Sequence, residues 1–235
     1  MRYSCRDGAY HYLTISLNYI MTKKLLITCM LVASSILAFA QFEGAKQTYS
    51  SPKLKDEIQK HKNVAILPFE ASITYKRPPK NYDSSANRNE EINIAKDLQQ
   101  SMYTYLLRKG DKYSVSFQDV DRTNALLKSN GIYFKLDELT QDSISKVLGV
   151  DATIRCRYSY EKTASEAGAI AKTILFGSIG GKTGSGGLTM QLYNGSDGEL
   201  LWRFYKAMDD NVMASSDDLM ERMMRKVSRN FPYEK

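Results

Sequence analysis

The chain has 235 residues, 43% of them hydrophobic, with 33 Lys and Arg against 26 Asp and Glu and a formal net charge of +7. That length and apolar content suit one well-filled domain with extensions. Charges of both signs are interspersed and no Lys/Arg run resembles a nucleic-acid arm, so neither a nucleic acid nor an anionic membrane is argued as a partner from the charge balance.

Residues 1–20 read as a segment upstream of the true start at Met21. From Met21 the sequence "MTKKLLITCMLVASSILAFAQ" sets Lys23 and Lys24 before an apolar run, Leu25 to Leu37. Ala38-Phe39-Ala40 then forms a small-x-small cleavage site before Gln41. Residues 21–40 are therefore expected to be a signal peptide and the chain to be exported; the run is short and lightly flanked for a spanning helix. Arg2, Arg6, Lys23 and Lys24 are positive and Asp7 negative in this part, so the rest of the chain carries +4. Cys5 and Cys29 also fall here, which leaves Cys156 without a partner for an internal disulfide. Cys29 is a poor lipidation site, since Thr28 precedes it and the apolar run continues beyond it.

Gln41 to Ser51 is polar and reads as a mobile leader, and "PKLKDEIQKH" reads as a short charged helix, together filling 41–61 ahead of a domain over 62–235. "NVAILPFE", Asn63 to Glu70, is a continuous apolar run stopped by Pro68, as in a strand buried on both faces. "ASITYKRPPKNYDSSANRN" reads as an exposed loop. Ile92, Ala95, Leu98, Met102 and Leu106 recur at helical spacing up to Gly110. "YSVSFQD" alternates as a strand, with Tyr113, Val115 and Phe117 on one face. Asp119 or Asp121 should cap a helix ending at Asn130-Gly131, and Thr140 one ending at Gly149.

"DATIRCRYSYEK" alternates again: Ala152, Ile154, Cys156, Tyr158 and Tyr160 share one face, and Thr153, Arg155, Arg157 and Ser159 the other. "LTMQLYNGSDGELLWRFYK" is a hairpin turning at "GSDG". Ser215 or Ser216 should cap a last helix whose Leu219, Met220, Met223, Met224 and Val227 pack into the core. The expected fold class is α/β: a single domain with a mixed β-sheet flanked by helices, a C-terminal β-hairpin and a closing helix.

The glycine-rich "LFGSIGGKTGSGG", Leu175 to Gly187, tests for a phosphate loop and fails. Gly181-Lys182-Thr183 would need a glycine where Phe176 stands, and the run leads into a strand rather than a helix. No nucleotide and no other cofactor is expected. His61 is the one histidine beyond the signal segment; it excludes a multi-histidine metal centre and reads as exposed in "QKHKN". No G-x-S-x-G elbow or CxxC occurs, and the acids sit at caps and turns, so no catalytic, cofactor-binding or metal-binding residue is assigned and the chain reads as a non-enzyme.

Five stretches in order, "VAILPFE", "LLRKG", "YSVSFQDVDRTNALLKSNGI", "ELTQDSISKVLGVDATIRCRY" and "LTMQLYNGSDGELLW", resemble the CsgG-like curli-secretion proteins and the related TolB N-terminal-like and LpoB-like periplasmic modules. The resemblance covers roughly residues 62 to 231. It implies an anticodon-binding-like α/β fold used for protein contacts in the cell envelope. It implies a location in the periplasm, or on the periplasmic face of the outer membrane, of a didermal bacterium. No catalytic residue comes with it. The chain departs from the secretion pores in lacking a lipidation cysteine and two long alternating hairpins for a barrel.

Three readings follow. The first is an exported, non-enzymatic envelope protein contacting an envelope partner in assembly or secretion. The second is a membrane-associated homo-oligomer using segment 164–187, where Ile170, Ile174, Leu175, Phe176 and Ile179 would form an exposed apolar patch at the outer membrane. Against it stands the plainer reading of that segment as a core-closing element followed by a flexible Gly/Ser loop. The third is a hydrolase whose carboxylates converge only in three dimensions.

Overall fold

The chain divides into Met1–Glu43 and Gly44–Lys235, and the computed structural model describes residues 46–162, 184–210, 216–227 and 230–235, all in the second unit. The expected signal peptide and the candidate patch of Ile170, Ile174, Leu175, Phe176 and Ile179 lie outside the described residues. The elements are β1 (Lys46–Ser50), α1 (Leu54–Ile58), β2 (Asn63–Ile66), β3 (Glu70–Tyr75), α2 (Ser84–Arg108) and β4 (Ser116–Phe117). They continue with α3 (Val120–Ser129), α4 (Gln141–Leu148), β5 (Ala152–Lys162), β6 (Gly184–Asn194), β7 (Leu200–Asp210) and α5 (Ser216–Val227).

One mixed sheet runs β1-β7-β6-β5-β2-β4, and β3 also lies along β5. The pairs β4–β2, β2–β5 and β3–β5 are parallel, whereas β5–β6, β6–β7 and β7–β1 are antiparallel. The expected α/β class with a mixed sheet, C-terminal hairpin and closing helix is what the chain adopts.

The sequence patterns explain the layers. Alternate residues of β5, Ile154, Cys156 and Tyr158, join Leu188, Met190 and Leu192 of β6 and Trp202 and Phe204 of β7 in one core. Leu98, Met102 and Leu106 of α2 and the methionine stripe of α5 cover that face. On the other face α3 and α4 bury Leu127, Ile144 and Leu148 against Ala65 and Leu67. β2 is covered on both sides, which is why Val64, Ala65 and Ile66 form an unbroken buried apolar run, and its neighbour β5 begins the same way at Ala152, Thr153 and Ile154.

The helix ends follow the expected chemistry with one change. Asp119 accepts the Arg122 N–H at 2.9 Å, and Gly149 closes α4 at φ 64°, a left-handed cap that favours glycine. Thr140 stands at the N-cap of α4 with extended backbone, but its hydroxyl meets Ser143 Oγ at 2.8 Å rather than a backbone amide. In "YSVSF" only Ser116 and Phe117 join the ladder, beside β2, while Tyr113 and Val115 are buried as the alternation requires.

Four expectations are corrected. Residues 46–50 are not a free leader: they pair in register with Ser50 opposite Trp202 and Lys46 opposite Lys206. Of the expected loop only residues 76–83 are irregular and exposed, since Glu70–Tyr75 pairs with Arg157–Lys162 and the helix already starts at Ser84. Asp83 caps that polar first turn by accepting the Ser85 and Ala86 amides at 2.8 and 3.3 Å. Gly184, Gly186 and Gly187 are ladder residues of β6, paired on both sides, rather than part of a Gly/Ser loop.

His61, expected in solvent, is 6% exposed. Its Nδ1 lies 2.7 Å from Tyr233 Oη and its Nε2 3.2 Å from Asn194 Oδ1. Burial pushes the imidazole pKa down, against the opposing pull of the Asn194 hydrogen bond and the Asp151 and Glu57 charges. The neutral ring satisfies both partners when Nε2–H donates to Asn194 and Nδ1 accepts from Tyr233.

Candidate functional site

Strand β2 stops because its neighbour Pro68 has no N–H to give the ladder. Gln99 of α2 then takes the Ile66 carbonyl through Nε2 at 2.9 Å, and the Leu67 amide still reaches the Ile154 carbonyl at 2.9 Å. The chain rejoins β5 further along as β3. This break lies at the carboxyl ends of the parallel strands, where open α/β sheets place their binding crevices. A cleft of about 590 Å³ opens there between β3, the N-terminal half of α2 and the α3–α4 connection.

Its charged wall is built by strand geometry. Arg155 and Arg157 are two apart on β5, so both project from the open face, and register puts Glu70 of β3 opposite Arg157. Arg155 Nε donates to Glu70 Oε1 at 2.8 Å, and Arg157 Nε and Nη2 reach Oε2 at 2.7 Å. A second Arg155 bond, from Nη2 to Oε1, completes the clamp. Burial raises the Glu70 pKa, but the hydrogen bonds and charges of Arg157 and Arg155 outweigh it and hold the carboxyl below the usual range.

The opposite wall comes from α2. Glu91 accepts the Ile73 N–H at 2.9 Å and pairs with Arg88 at 3.0 Å, while Asn87 donates to the Ile73 carbonyl at 3.1 Å. Lys96 and Lys128 complete the cationic lining, Lys128 with its ammonium 5.0 Å from the centre of the Tyr133 ring. Phe134 stands edge-on to Tyr133 at the mouth with 87% of its surface exposed. A large aromatic so exposed beside a cleft is the type of side chain that anchors partners.

Beyond the cleft, among the described residues, the sheet's second face is partly open over β5, β6 and β7, where Arg157, Ser159 and Arg203 are exposed. A recess of about 420 Å³ there is lined by Ser72, Thr74, Ser159, Ser185, Gly186 and Tyr205. Gly187 makes room for the Tyr205 ring, whose tip an added Cβ would meet at 2.9 Å.

None of Glu70, Arg155, Arg157, Lys96, Lys128 or Phe134 stands out in the sequence, whose alternation places the two arginines only on the face opposite Ile154, Cys156 and Tyr158. Arginines spaced two apart on a strand, with an acid ending the preceding apolar run, are the signal that would have found them. The acids read as caps do cap: Asp119 holds α3, and Asp197 accepts the Glu199 amide at 2.9 Å in the hairpin turn. Among the described residues no group of three His, Cys, Asp or Glu is placed to hold a metal ion, and no helix is long and apolar enough to cross a membrane.

No protein-family model matches the chain, and no curated protein does. Solved structures that the chain partly resembles include lipoprotein GNA1162 of Neisseria meningitidis, 11% identical with a TM-score of 0.42 over 71% of this chain and 94% of that one. A PelC dodecamer from Paraburkholderia phytofirmans is 11% identical with a TM-score of 0.40, over 82% of this chain and all of that one. The LpoB C-terminal domain of Salmonella enterica is 12% identical with a TM-score of 0.33, over 67% and 93%. Likenesses of this size leave family and function to be argued from the chain's own residues.

Proposed function

We propose that the chain is an exported, non-catalytic module of the bacterial cell envelope that works by holding a protein partner. The observation that carries this reading is the part of the sheet's second face that is open among the described residues and runs into the Pro68 cleft. It presents Arg155, Arg157, Arg203 and Tyr205 beside Ser, Thr and Gln, a composition suited to protein contact. Two of the cleft's three acids support it too: Glu70 is engaged by two guanidiniums, and Glu91 by Arg88 and the Ile73 amide, so neither stands ready as a proton-transfer group. The signal-like segment 21–40 and the ordered motif resemblance support the export and envelope parts of the proposal.

Site-directed photo-crosslinking in the native host tests it. A photoreactive residue at Ser72 or Arg203 should capture a different protein in the envelope fraction, whereas one at Lys55 of α1 should not. Recovery of the chain in the cytoplasmic fraction, or equal labelling from all three positions, would overturn the proposal. Capture of a second copy of the chain would replace it with self-association through this face.

A further inference from the structure

The cleft also says what kind of partner segment fits it, if the reading as a protein-holding module is correct. Three features converge. First, the lining carries five cations, Arg88, Lys96, Lys128, Arg155 and Arg157, against three acids, Glu70, Glu91 and Asp137. Two of those acids are already engaged by arginines, which leaves Lys96 and Lys128 facing the opening without an acid of their own among the ion pairs of the described residues. A surplus of two positive charges around a partly enclosed cleft attracts a negative segment.

Second, the edge of β3 offers backbone to a guest. In a parallel ladder, the N–H and C=O of one residue point to the paired strand and those of the next point away. The Lys76 amide bonds Lys162 of β5, so even-numbered positions face β5 and odd-numbered ones face outward. Ile73 obeys this: its N–H and C=O are taken by Glu91 and Asn87, side chains that stand in for a neighbouring strand. The same alternation turns the Ala71 N–H and C=O outward, and Ala71 lines the cleft. Third, Phe134 and Tyr133 supply an aromatic surface at the mouth for an apolar side chain.

We infer that the cleft binds an extended acidic protein segment bearing an apolar side chain, laid along the outer edge of β3 at Ala71. Backbone bonds to Ala71 hold it extended, Lys96 and Lys128 receive its carboxylates, and Phe134 packs on its apolar residue. A free anion would use the lysines but neither Ala71 nor Phe134, which is why a polypeptide is the occupant.

The probe is a fluorescein-labelled peptide, Asp-Glu-Leu-Asp-Phe-Asp-Glu, titrated by anisotropy into the full chain at low salt. Saturable binding is expected, weakened at least about tenfold by the pair Lys96→Glu/Lys128→Glu. The pair Lys55→Glu/Lys112→Glu makes the same change in net charge on exposed residues elsewhere and should leave affinity within about twofold, which separates a site from general attraction. Phe134→Ala and N-methylation of the peptide's central amides should each weaken binding. Phe134 is so exposed that its loss leaves the fold intact. No saturable binding, equal weakening by both lysine pairs, or equal binding of a Lys/Arg peptide would overturn the inference. Photo-crosslinking to an envelope protein from Ser72 or Arg203 alongside such a failure would leave the protein-holding reading standing and remove only the acidic-segment assignment.

Discussion

Replacing Gly184 by alanine separates two physical accounts of the glycine-rich stretch by whether stability falls. In a flexible linker, Gly→Ala restricts the folded and unfolded chain alike and leaves stability unchanged, while at an ordered turn that tolerates alanine it raises stability by about 0.4–1 kcal/mol. In the structure Gly184 opens β6 opposite Lys162, and an added Cβ would lie 2.6 Å from the Glu161 carbonyl oxygen and against the Tyr160 ring tip. The ring can swing; the carbonyl belongs to the ladder and cannot. Overpacking of this type costs roughly 1–3 kcal/mol, a fall in Tm of roughly 3–9 °C for a domain of this size. Urea melts followed by the fluorescence of Trp202, the single tryptophan and fully buried, read the change directly. Gly187→Ala should be milder, since its Cβ would meet only the movable Tyr205 ring. Tyr160→Phe should recover part of the Gly184→Ala loss and not the part due to the carbonyl. A midpoint unchanged or raised by Gly184→Ala would refute the strand assignment for the glycines.

Three further outcomes are expected. Because burial lowers the His61 pKa below its ordinary 6.5, the unfolded chain binds a proton that the folded chain excludes as pH drops. Stability should therefore be complete above that value, fall as pH passes below it, and level off under the folded pKa; urea midpoints from pH 8 to 5 should show this slope in the parent and lose it in His61→Phe. Glu70→Gln leaves Arg155, whose side chain is 15% exposed, without its carboxylate and should destabilise by about 1–3 kcal/mol in urea melts at pH 7. Trp202→Ala removes a core ring packed near Phe204 and Phe231 and should cost about 3–5 kcal/mol, measured by circular dichroism since the fluorophore is gone.

The sequence by itself determined every element whose pattern is local. The alternation in "DATIRCRYSY", the helical spacing of Leu98, Met102 and Leu106, the methionine stripe and the Gly149 stop each declare an element because burial on one face imposes a period on the chain. From those periods the mixed α/β sheet, hairpin and closing helix followed. What only the tertiary structure decided is wherever a residue's partner is distant in sequence. Lys46–Ser50 is polar and exposed, yet it is a strand because the backbone of β7 lies open beside it. "ASITY" becomes β3 through β5, nearly ninety residues on, and His61 is buried because Tyr233, 172 residues away, closes over it. The cleft is of the same kind. Glu70, Arg155, Arg157, Lys96, Lys128 and Phe134 come from four separate stretches, and no spacing along the chain encodes their meeting. Hydrophobic periodicity reports which way a side chain faces; only the packed sheet and helices fix what it meets there.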